Sequence, residues 1–432
     1  MQVILVLIIV LFSLLIPHGC IAPPSQPSPL PSTQPETMAP ESAPIVPITE
    51  PNETQPEKEE IKTPTIEQQE AEVDSREETT PEERSSECTS DTPFNTAPLD
   101  IDDISSIVAL GNMNPPGHVF PTDHIYLYIT KTEGSDHPHV VPLYSPGDLT
   151  VSMVNSSEHV NAGFTDYSIN LQPCEHITVV LGHVSSLSSE IFGETSSFEE
   201  WTLENEYSTG GETYRRWRKE YNIEVKAGEV IGTAGGNPNQ WALDLGVYAL
   251  NHSQESVANP QRWLKSWYLH AVDPLTLFED GAVLDQLLQL VDRELAEGES
   301  LPYGSVLQDI PGTAQGCWFF SGISDTYPED PHLALVHSNI YPSRAVLSVG
   351  TSIPDLDSST YEFLPENSGL VNRDFKEITT DGQVYGFRVN QFDGVIILRM
   401  VDGETIWIEA LEDATVDPAS WVFSENKAIF KR

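Results

Sequence analysis

Histidine and aspartate side chains in three strand-like segments are the residues of this chain whose types could do chemistry. His124 opens the run HIYLYI, in which His124, Tyr126 and Tyr128 alternate with aliphatic residues. His183 and Asp244 lie in the similar runs ITVVLGHV and WALDLGV. Such alternation is typical of a half-buried strand that shows its polar residues on one face. Imidazole and carboxylate groups bind divalent metals, but they also occur as ordinary hydrogen-bonded residues of strands.

Residues 99–280 must supply the elements that position these groups. Short apolar or alternating runs separated by Gly, Pro and Asn predict an antiparallel β-sandwich or barrel rather than an α/β fold. The runs are HIYLYI, HVVPLY, DLTVSMV, DYSINLQ, ITVVLGHV, IEVKAGEVIGTAG and WALDLGVYAL. The polar and aromatic segment 189–219 predicts an excursion that contains one helix.

The rest of the chain predicts a connecting helix and a second β domain. Residues 281–300 have helical periodicity, with Leu284, Leu287, Leu288 and Val291 on one face. Residues 301–432 return to strand-like runs, and their Asp-Gly turns in VDGE and TTDGQ are typical of hairpins. We therefore expect a second antiparallel β domain over 301–432.

The charge of the chain excludes one class of partner. The 66 acidic residues outnumber the 21 Lys and Arg residues and give a net charge of −45. Such a surface repels nucleic acid and attracts cations, so we expect no nucleic-acid partner. Adaptation to solubility or salt is the simpler explanation of the acidity itself.

Residues 1–20 predict export. Val3–Ile16 is apolar apart from one serine, which is short for a membrane span and suits the core of a signal peptide. Cys20 follows a glycine, as at a lipoprotein cleavage site where the cysteine is lipidated. Pro17 and His18 depart from that pattern, so ordinary secretion and an uncleaved anchor stay open.

Residues 21–98 are rich in Pro, Ser, Thr and Glu and predict a disordered stalk. Of the remaining cysteines, Cys88 lies in this polar tract and its pairing is open. Cys174 and Cys317 lie in apolar surroundings, where they could form a disulfide or remain buried thiols.

The order of segments from His124 to Val247 resembles the lysostaphin-type (LytM-like) zinc metallopeptidases, peptidoglycan endopeptidases with the duplicated-hybrid-motif β fold. That family shows a His-x-x-x-Asp strand, a V-x-A-P-x-x-G-x-V hairpin, a Y-A-H-L-S strand end, a V-x-x-G-x-x-I-G-x-x-G hairpin and an H-L-H strand. This chain carries HIYLY, VVPLYSPGDLTV, VVLGHVSSL, VKAGEVIGTAGG and WALDLGV in the same order. The resemblance covers roughly a third of the chain. Its strongest part, Val225 to Gly235, is a structural hairpin and indicates the fold rather than the chemistry.

The chemical positions of the family are only partly kept. His124 matches the first zinc ligand, and His183 matches the histidine that assists catalysis. Tyr128 stands where the family has its ligand aspartate, Ala242 replaces a catalytic histidine, and Asp244 replaces a ligand histidine. A catalytic zinc ion needs three protein ligands and an open position. The resemblance therefore implies a degenerate active site in which the peptidase mechanism of the family is lost.

A different metal site remains open. If the strands close as in the family, His124, His183 and Asp244 face one groove and could hold one divalent ion, zinc first among them. In that case His183 is the third ligand or a general base. The alternative is that these residues are hydrogen-bonded remnants of an enzyme. Further polar candidates for the groove are Asp123, Tyr126 and Tyr128.

The sequence thus predicts a mainly β, exported protein, lipid-anchored through Cys20 or secreted, at the cell envelope. Its fold should be a duplicated-hybrid-motif-like antiparallel sandwich or barrel, followed by a second antiparallel β domain, after a disordered stalk. We expect the peptidase-like domain to act as a binding module for an envelope glycan, peptide or protein. The alternatives are a divalent-metal-dependent hydrolase with a rearranged His/His/Asp site, and an envelope scaffold whose groove is vestigial.

Overall fold

Two antiparallel β-sheets carry the fold, so the chain is mainly β as predicted. The computed structural model describes residues 88, 90–130, 135, 137–193, 200–209, 212–238, 240–252, 257–263, 267–412, 415 and 417–432. All of these belong to one compact unit, Thr80–Arg432. The predicted signal segment, Cys20 and the predicted stalk up to residue 87 lie outside the described residues.

The first sheet holds the three candidate residues in adjacent strands. Along its main path the strands run in the order β1-β2-β10-β6-β5-β4-β8-β7, while β11 pairs with β10, and β9 joins β3 to β6 and curls the sheet toward a barrel. Its strands are β1 (Ile104–Val108), β2 (His124–Ile129), β3 (Val141–Tyr144), β4 (Leu149–His159), β5 (Phe164–Cys174), β6 (Ile177–Leu187), β7 (Thr202–Thr209), β8 (Glu212–Val225), β9 (Val230–Ala234), β10 (Ala242–Ala249) and β11 (Ala271–Val272).

The second sheet follows from residue 316 and has the order β15-β14-β13-β12-β19-β18-β17-β16. Of the two predicted Asp-Gly hairpins, one is present: Asp402 pairs with Thr405 at the β17–β18 turn. The other, at Asp381, turns the chain into β16 without a paired strand before it. The strands are β12 (Gly316–Phe320), β13 (Leu333–His337), β14 (Ala345–Val349), β15 (Ser359–Phe363), β16 (Tyr385–Phe387), β17 (Gly394–Asp402), β18 (Thr405–Glu412) and β19 (Ala428–Lys431).

Helices are short. The excursion predicted over 189–219 contains α1 (Ser189–Phe192), but most of it is the β7–β8 hairpin. The connecting helix α2 spans only Ala282–Gln289, because the chain then pairs with β1: the Ile107 amide donates to the Leu290 carbonyl over 2.7 Å. In the described part of the chain, no helix has the length and apolarity required to cross a bilayer. The 3-10 helices are Ile101–Asp103, Pro260–Trp263, Tyr268–His270, Pro274–Leu277, Phe375–Glu377 and Pro418–Ser420.

The fold begins before residue 99, where the sequence placed the end of the stalk. Phe94 is fully buried and packs edge-to-face on Phe278, with ring centroids 5.2 Å apart. A disulfide joins Cys88 to Cys174, which settles the pairing that the sequence left open. Cys317 is a free, buried thiol of β12. The segment that follows residue 88 is therefore attached to the first sheet both covalently and by packing.

The β12–β13 loop of the second sheet supports the chain that leads into β2. Glu329 is buried; it accepts a hydrogen bond from the Phe120 amide at 3.0 Å and one from the Tyr268 hydroxyl at 2.7 Å. Burial raises the pKa of this carboxyl to about 7, although the two hydrogen bonds act in the opposite direction. Phe120 also packs on Phe319 of β12, with ring centroids 5.2 Å apart. The approach to His124 is thus fixed from both sheets.

Candidate functional site

The β2–β10–β6 ladder brings the three predicted residues together. Asp244 of β10 pairs with Tyr126 of β2 on one side and with Gly182 of β6 on the other. A Cβ atom at residue 182 would lie only 3.2 Å from the Cβ of Asp244. Glycine at this point therefore makes room for the aspartate, next to His183.

One oxygen of Asp244 contacts both imidazoles. Its Oδ2 lies 3.5 Å from Nε2 of His124 and 3.3 Å from Nε2 of His183. His124 Nε2 and the other carboxylate oxygen, Asp244 Oδ1, are buried and have no hydrogen-bond partner among the described residues. Buried polar atoms in proteins are nearly always satisfied, so this pair of unpartnered atoms calls for a ligand or a water molecule.

The opposite nitrogen of each imidazole is held by its own carboxylate. Nδ1 of His124 lies 3.0 Å from Asp123 Oδ1, and Nδ1 of His183 lies 3.0 Å from Asp166 Oδ2. A carboxylate on Nδ1 favours the tautomer with the proton on that nitrogen and leaves Nε2 as an electron-pair donor. Both donor nitrogens then face Asp244.

Asp166, near the start of β5, is the residue that the sequence did not reveal. Its buried carboxylate accepts a hydrogen bond from Gln240 Nε2 at 2.6 Å and contacts His159 Nε2 at 3.2 Å, besides His183. Burial would raise its pKa, but hydrogen bonds from His159 and His183 outweigh it and lower the pKa to about 2. The only signal in the sequence was a lone aspartate inside the run DYSINLQ.

The aspartates also decide the charge of the histidines. Burial disfavours the charged form of His183, but Asp244 and Asp166 outweigh it and raise its pKa to about 9. The pKa of His124 is raised in the same way by Asp244 and Asp123, against its burial. Burial and the neighbouring His124 lower the pKa of His118. Without a metal ion, His183 is therefore an imidazolium between two carboxylates at neutral pH.

His183 has a backbone conformation that L residues rarely adopt. Its φ is +58°, in the left-handed region, and the β5–β6 and β6–β9 ladders change register beside it. Non-glycine residues held at positive φ are uncommon and cluster at functional sites. With this positive φ and the register shifts beside it, the His183 imidazole contacts Asp166 and Asp244 together. A regular strand pleat would not place it between them.

The other predicted groove residues, Tyr126, Tyr128 and Asp123, differ in what they contact. The Tyr126 ring lies 4.8 Å from that of His124, at an interplanar angle of 65°. Burial and the charge of Asp244 raise the pKa of Tyr126, so its hydroxyl stays protonated. Tyr128 is 37% exposed and pairs with the buried Ala242, further along the ladder from His124. Asp123 contacts the imidazole of His124 rather than the space between the two histidines.

Comparisons with protein-family models, with curated proteins and with solved structures find no match for this chain. In the part of the chain that the structure describes, no group of three or more His, Cys, Asp or Glu side chains is arranged as it stands to hold a metal ion. The donor types are nevertheless those of zinc sites, and each histidine has the supporting carboxylate that zinc-binding histidines usually have.

Proposed function

We propose that the chain is a cell-envelope protein whose first sheet binds one divalent metal ion, zinc foremost, through His124, His183 and Asp244. The spacing of the donors carries this proposal. Tetrahedral zinc with bonds of about 2.0–2.1 Å places neighbouring donor atoms about 3.4 Å apart. Asp244 Oδ2 lies 3.5 Å and 3.3 Å from the two imidazole nitrogens, and no hydrogen bond occupies His124 Nε2.

The energetics point the same way. A buried polar atom without a partner costs about 1–3 kcal/mol of stability, and the cluster holds two such atoms, His124 Nε2 and Asp244 Oδ1. A cation bound between the imidazoles and Asp244 Oδ2 would satisfy His124 Nε2 and would reduce the repulsion between the aspartates that surround the histidines. The acidic surface of the chain attracts cations in general.

Export rests on two independent observations. The Cys88–Cys174 disulfide is typical of proteins that fold in an oxidising compartment. The apolar run Val3–Ile16 with Cys20 close behind it is typical of an exported lipoprotein. We therefore place the protein at the cell surface, attached to the membrane through an N-terminal lipid or anchor, or secreted, with an envelope glycan, peptide or protein as its partner.

Metal-assisted hydrolysis is the chemistry that this donor set suits. With three protein ligands, a bound zinc ion has an open position at which it lowers the pKa of a water molecule. In this chain Asp123 and Asp166 orient the two imidazoles, and Tyr126 keeps a protonated hydroxyl beside His124. Ala242 offers no imidazole to stabilise a developing oxyanion, so any hydrolase here differs from the peptidases that the sequence resembles.

A metal-free binding module is the second candidate. Ala242 and the lack of a ready metal cage among the described residues favour it. In this case the His183 imidazolium forms ion pairs with Asp166 and Asp244, and these ion pairs hold the strands together. The groove beside it would then serve recognition alone.

Metal content distinguishes the two candidates. The full chain, loaded with zinc and dialysed, is analysed by plasma mass spectrometry beside His124→Ala and a control, His176→Ala, in the exposed β5–β6 turn. One equivalent of zinc that is lost only in His124→Ala supports the metal site. If the wild type holds no zinc, or if His124→Ala keeps it, the metal proposal fails and the binding module stands.

A further inference from the structure

A second feature, a groove of about 820 Å³, lies between the β7–β8 hairpin and the loop before β13. The hairpin forms one wall, the loop around Tyr327 forms the other, and Gly117, which precedes β2 in the chain, also lines the groove. Asn205, Tyr207 and Arg216 come from the hairpin, and Tyr327 and Asp330 come from the loop. Concave sites with aromatic walls and a few polar groups are the usual form of ligand sites.

Both walls present tyrosine rings to solvent. Tyr207 is 42% exposed and stacks on Tyr214, with centroids 5.1 Å apart and planes 15° from parallel. Tyr327, on the opposite wall, is 54% exposed. Large, exposed rings therefore lie on both sides of one groove. Rings held in this way offer flat surfaces on which a ligand can stack.

The polar groups of the groove are planar and of both signs. Asn205 and Arg216 are direct partners across the β7–β8 ladder. The neighbouring Arg215 and Arg218 form ion pairs with glutamates of β7, whereas Arg216 has no ion pair with any acidic side chain in the described residues. Asp330 lies on the other wall. Asp330 is half-buried, and the buried Glu329 is occupied by hydrogen bonds from Phe120 and Tyr268, so Arg216 and Asp330 leave the mouth of the groove close to neutral.

We propose that this groove binds a neutral glycan strand, whose sugar rings stack on Tyr207 and Tyr327. The hydroxyl or amide groups of the sugars would bond to Asn205, Arg216 and Asp330. The net charge of the chain, −45, repels an anionic polymer. The groove itself has no net charge that would select a charged glycan.

The way in which the hairpin faces the groove argues against a peptide. Asn205 and Tyr207 are two residues apart on β7, so their side chains lie on the same face of the sheet, and this face lines the groove. β7 is also the edge strand of the first sheet, so an extended peptide would pair with its free backbone rather than with these side chains. Side chains that are aromatic and planar suit the flat, hydroxyl-bearing faces of sugars.

The groove reaches the histidine cluster but does not depend on it. Gly117 lines the groove, and the ring of the next residue, His118, lies 5.7 Å from the ring of His124. A bound glycan would thus pass beside the proposed metal site. Binding itself needs no metal, so the two proposals can fail separately.

Calorimetry on the full chain tests the inference, with chitohexaose and cellohexaose as neutral probes, each with and without EDTA. Hexagalacturonate and a hexa-alanine peptide are the acidic and peptide probes. We expect one neutral hexasaccharide to bind equally well with EDTA. We expect Tyr207→Ala and Tyr327→Ala to weaken it about tenfold or more, and Tyr207→Phe to keep it. Tyr341→Ala is the control, because Tyr341 is exposed but lies outside the groove.

Three results would overturn the proposal. The first is that neither neutral glycan binds the wild type. The second is that only the acidic glycan or the peptide binds. The third is that binding is unchanged in both tyrosine-to-alanine variants, or falls equally in Tyr341→Ala. Circular dichroism of each variant, with Tyr207→Phe as the folded reference, separates loss of binding from loss of folding.

Discussion

Tyr128 and Ala242 are direct partners in the β2–β10 ladder. The resemblance noted in the sequence implies a lost functional residue at each of these two positions, and the two positions meet at one point of the sheet. His124, at the other end of β2, pairs with Gly246, and Asp244 pairs with Tyr126 between them. The two positions at which the resemblance implies a lost residue, Tyr128 and Ala242, thus lie apart from His124 along the same face of β2 and β10.

Restoring the two lost residues should create a stronger metal site. We expect the double variant Tyr128→Asp, Ala242→His to bind zinc at least about tenfold more tightly than the wild type, because it adds two donors to a cluster that already holds three. Competition with a fluorescent zinc chelator measures the affinity, and the two single variants are the controls. Equal affinity in the double variant and the wild type would show that the face no longer supports a metal ion.

The sequence predicted which three residues come together, but it did not predict the hydrogen-bond network around them. Strand alternation and the order of motifs indicated that His124, His183 and Asp244 would lie together, and the structure brings both imidazoles within 3.5 Å of Asp244 Oδ2. The partnership of Asp166 with His183 and Gln240 depends on the register of β5, β6 and the segment before β10, and no local pattern encodes that register.

Tertiary contacts also decided the element boundaries that the sequence misplaced. The periodicity of 281–300 is helical throughout, yet α2 ends at Gln289 because the backbone after it pairs with β1. Phe94 lies in a stretch whose composition resembles the stalk, but its ring packs on Phe278 and its backbone bonds to Leu277 and Glu279, which joins it to the core. The average composition of a segment does not reveal one buried residue such as Phe94.

The supporting carboxylate of His124 should affect metal affinity without carrying the metal. We expect Asp123→Asn to weaken zinc binding by about 10- to 100-fold, since it loosens the ring orientation and lowers the basicity of Nε2. The chelator competition assay measures this, and Asp285→Asn, on the exposed face of α2, is the matched control. A loss of the same size in the control would point to bulk charge instead of this contact.

The pair of His337 and Asp374 in the second sheet should give stability a defined pH dependence. Their contact, His337 Nε2 to Asp374 Oδ1, is 3.1 Å, and Asp374 is only 11% exposed. Burial raises the pKa of Asp374, but hydrogen bonds from His337 and Lys376 outweigh it and lower the pKa to about 2. Since the folded-state pKa is depressed, this carboxylate stabilises the fold above pH about 4 and loses that effect as the pH falls toward 2.

The histidine of this pair sets the upper limit. Its pKa is raised by Asp374 against its burial, so its contribution is complete below about pH 6.5 and is lost as the pH rises through the raised value. We expect Asp374→Asn to lower the free energy of unfolding at pH 5 by about 2 kcal/mol and to flatten the acid limb. Urea titrations at pH 5, 3 and 2.5 measure this, with exposed Asp393→Asn as the control; parallel pH curves for Asp374→Asn and the wild type would contradict it.

The Cys88–Cys174 disulfide should account for a measurable part of the stability of the first sheet. The two cysteines are 86 residues apart, so the bond restricts a long loop of the unfolded chain and holds the residues before Phe94 against the end of β5. We expect the double variant Cys88→Ser, Cys174→Ser to lose about 2–4 kcal/mol of unfolding free energy. Urea unfolding under oxidising conditions measures it, with Cys20→Ser as the control. Mapping under non-reducing conditions should give one linked peptide for this pair. A free Cys88 thiol, or equal stability of the double variant and the wild type, would contradict a structural bond at this position.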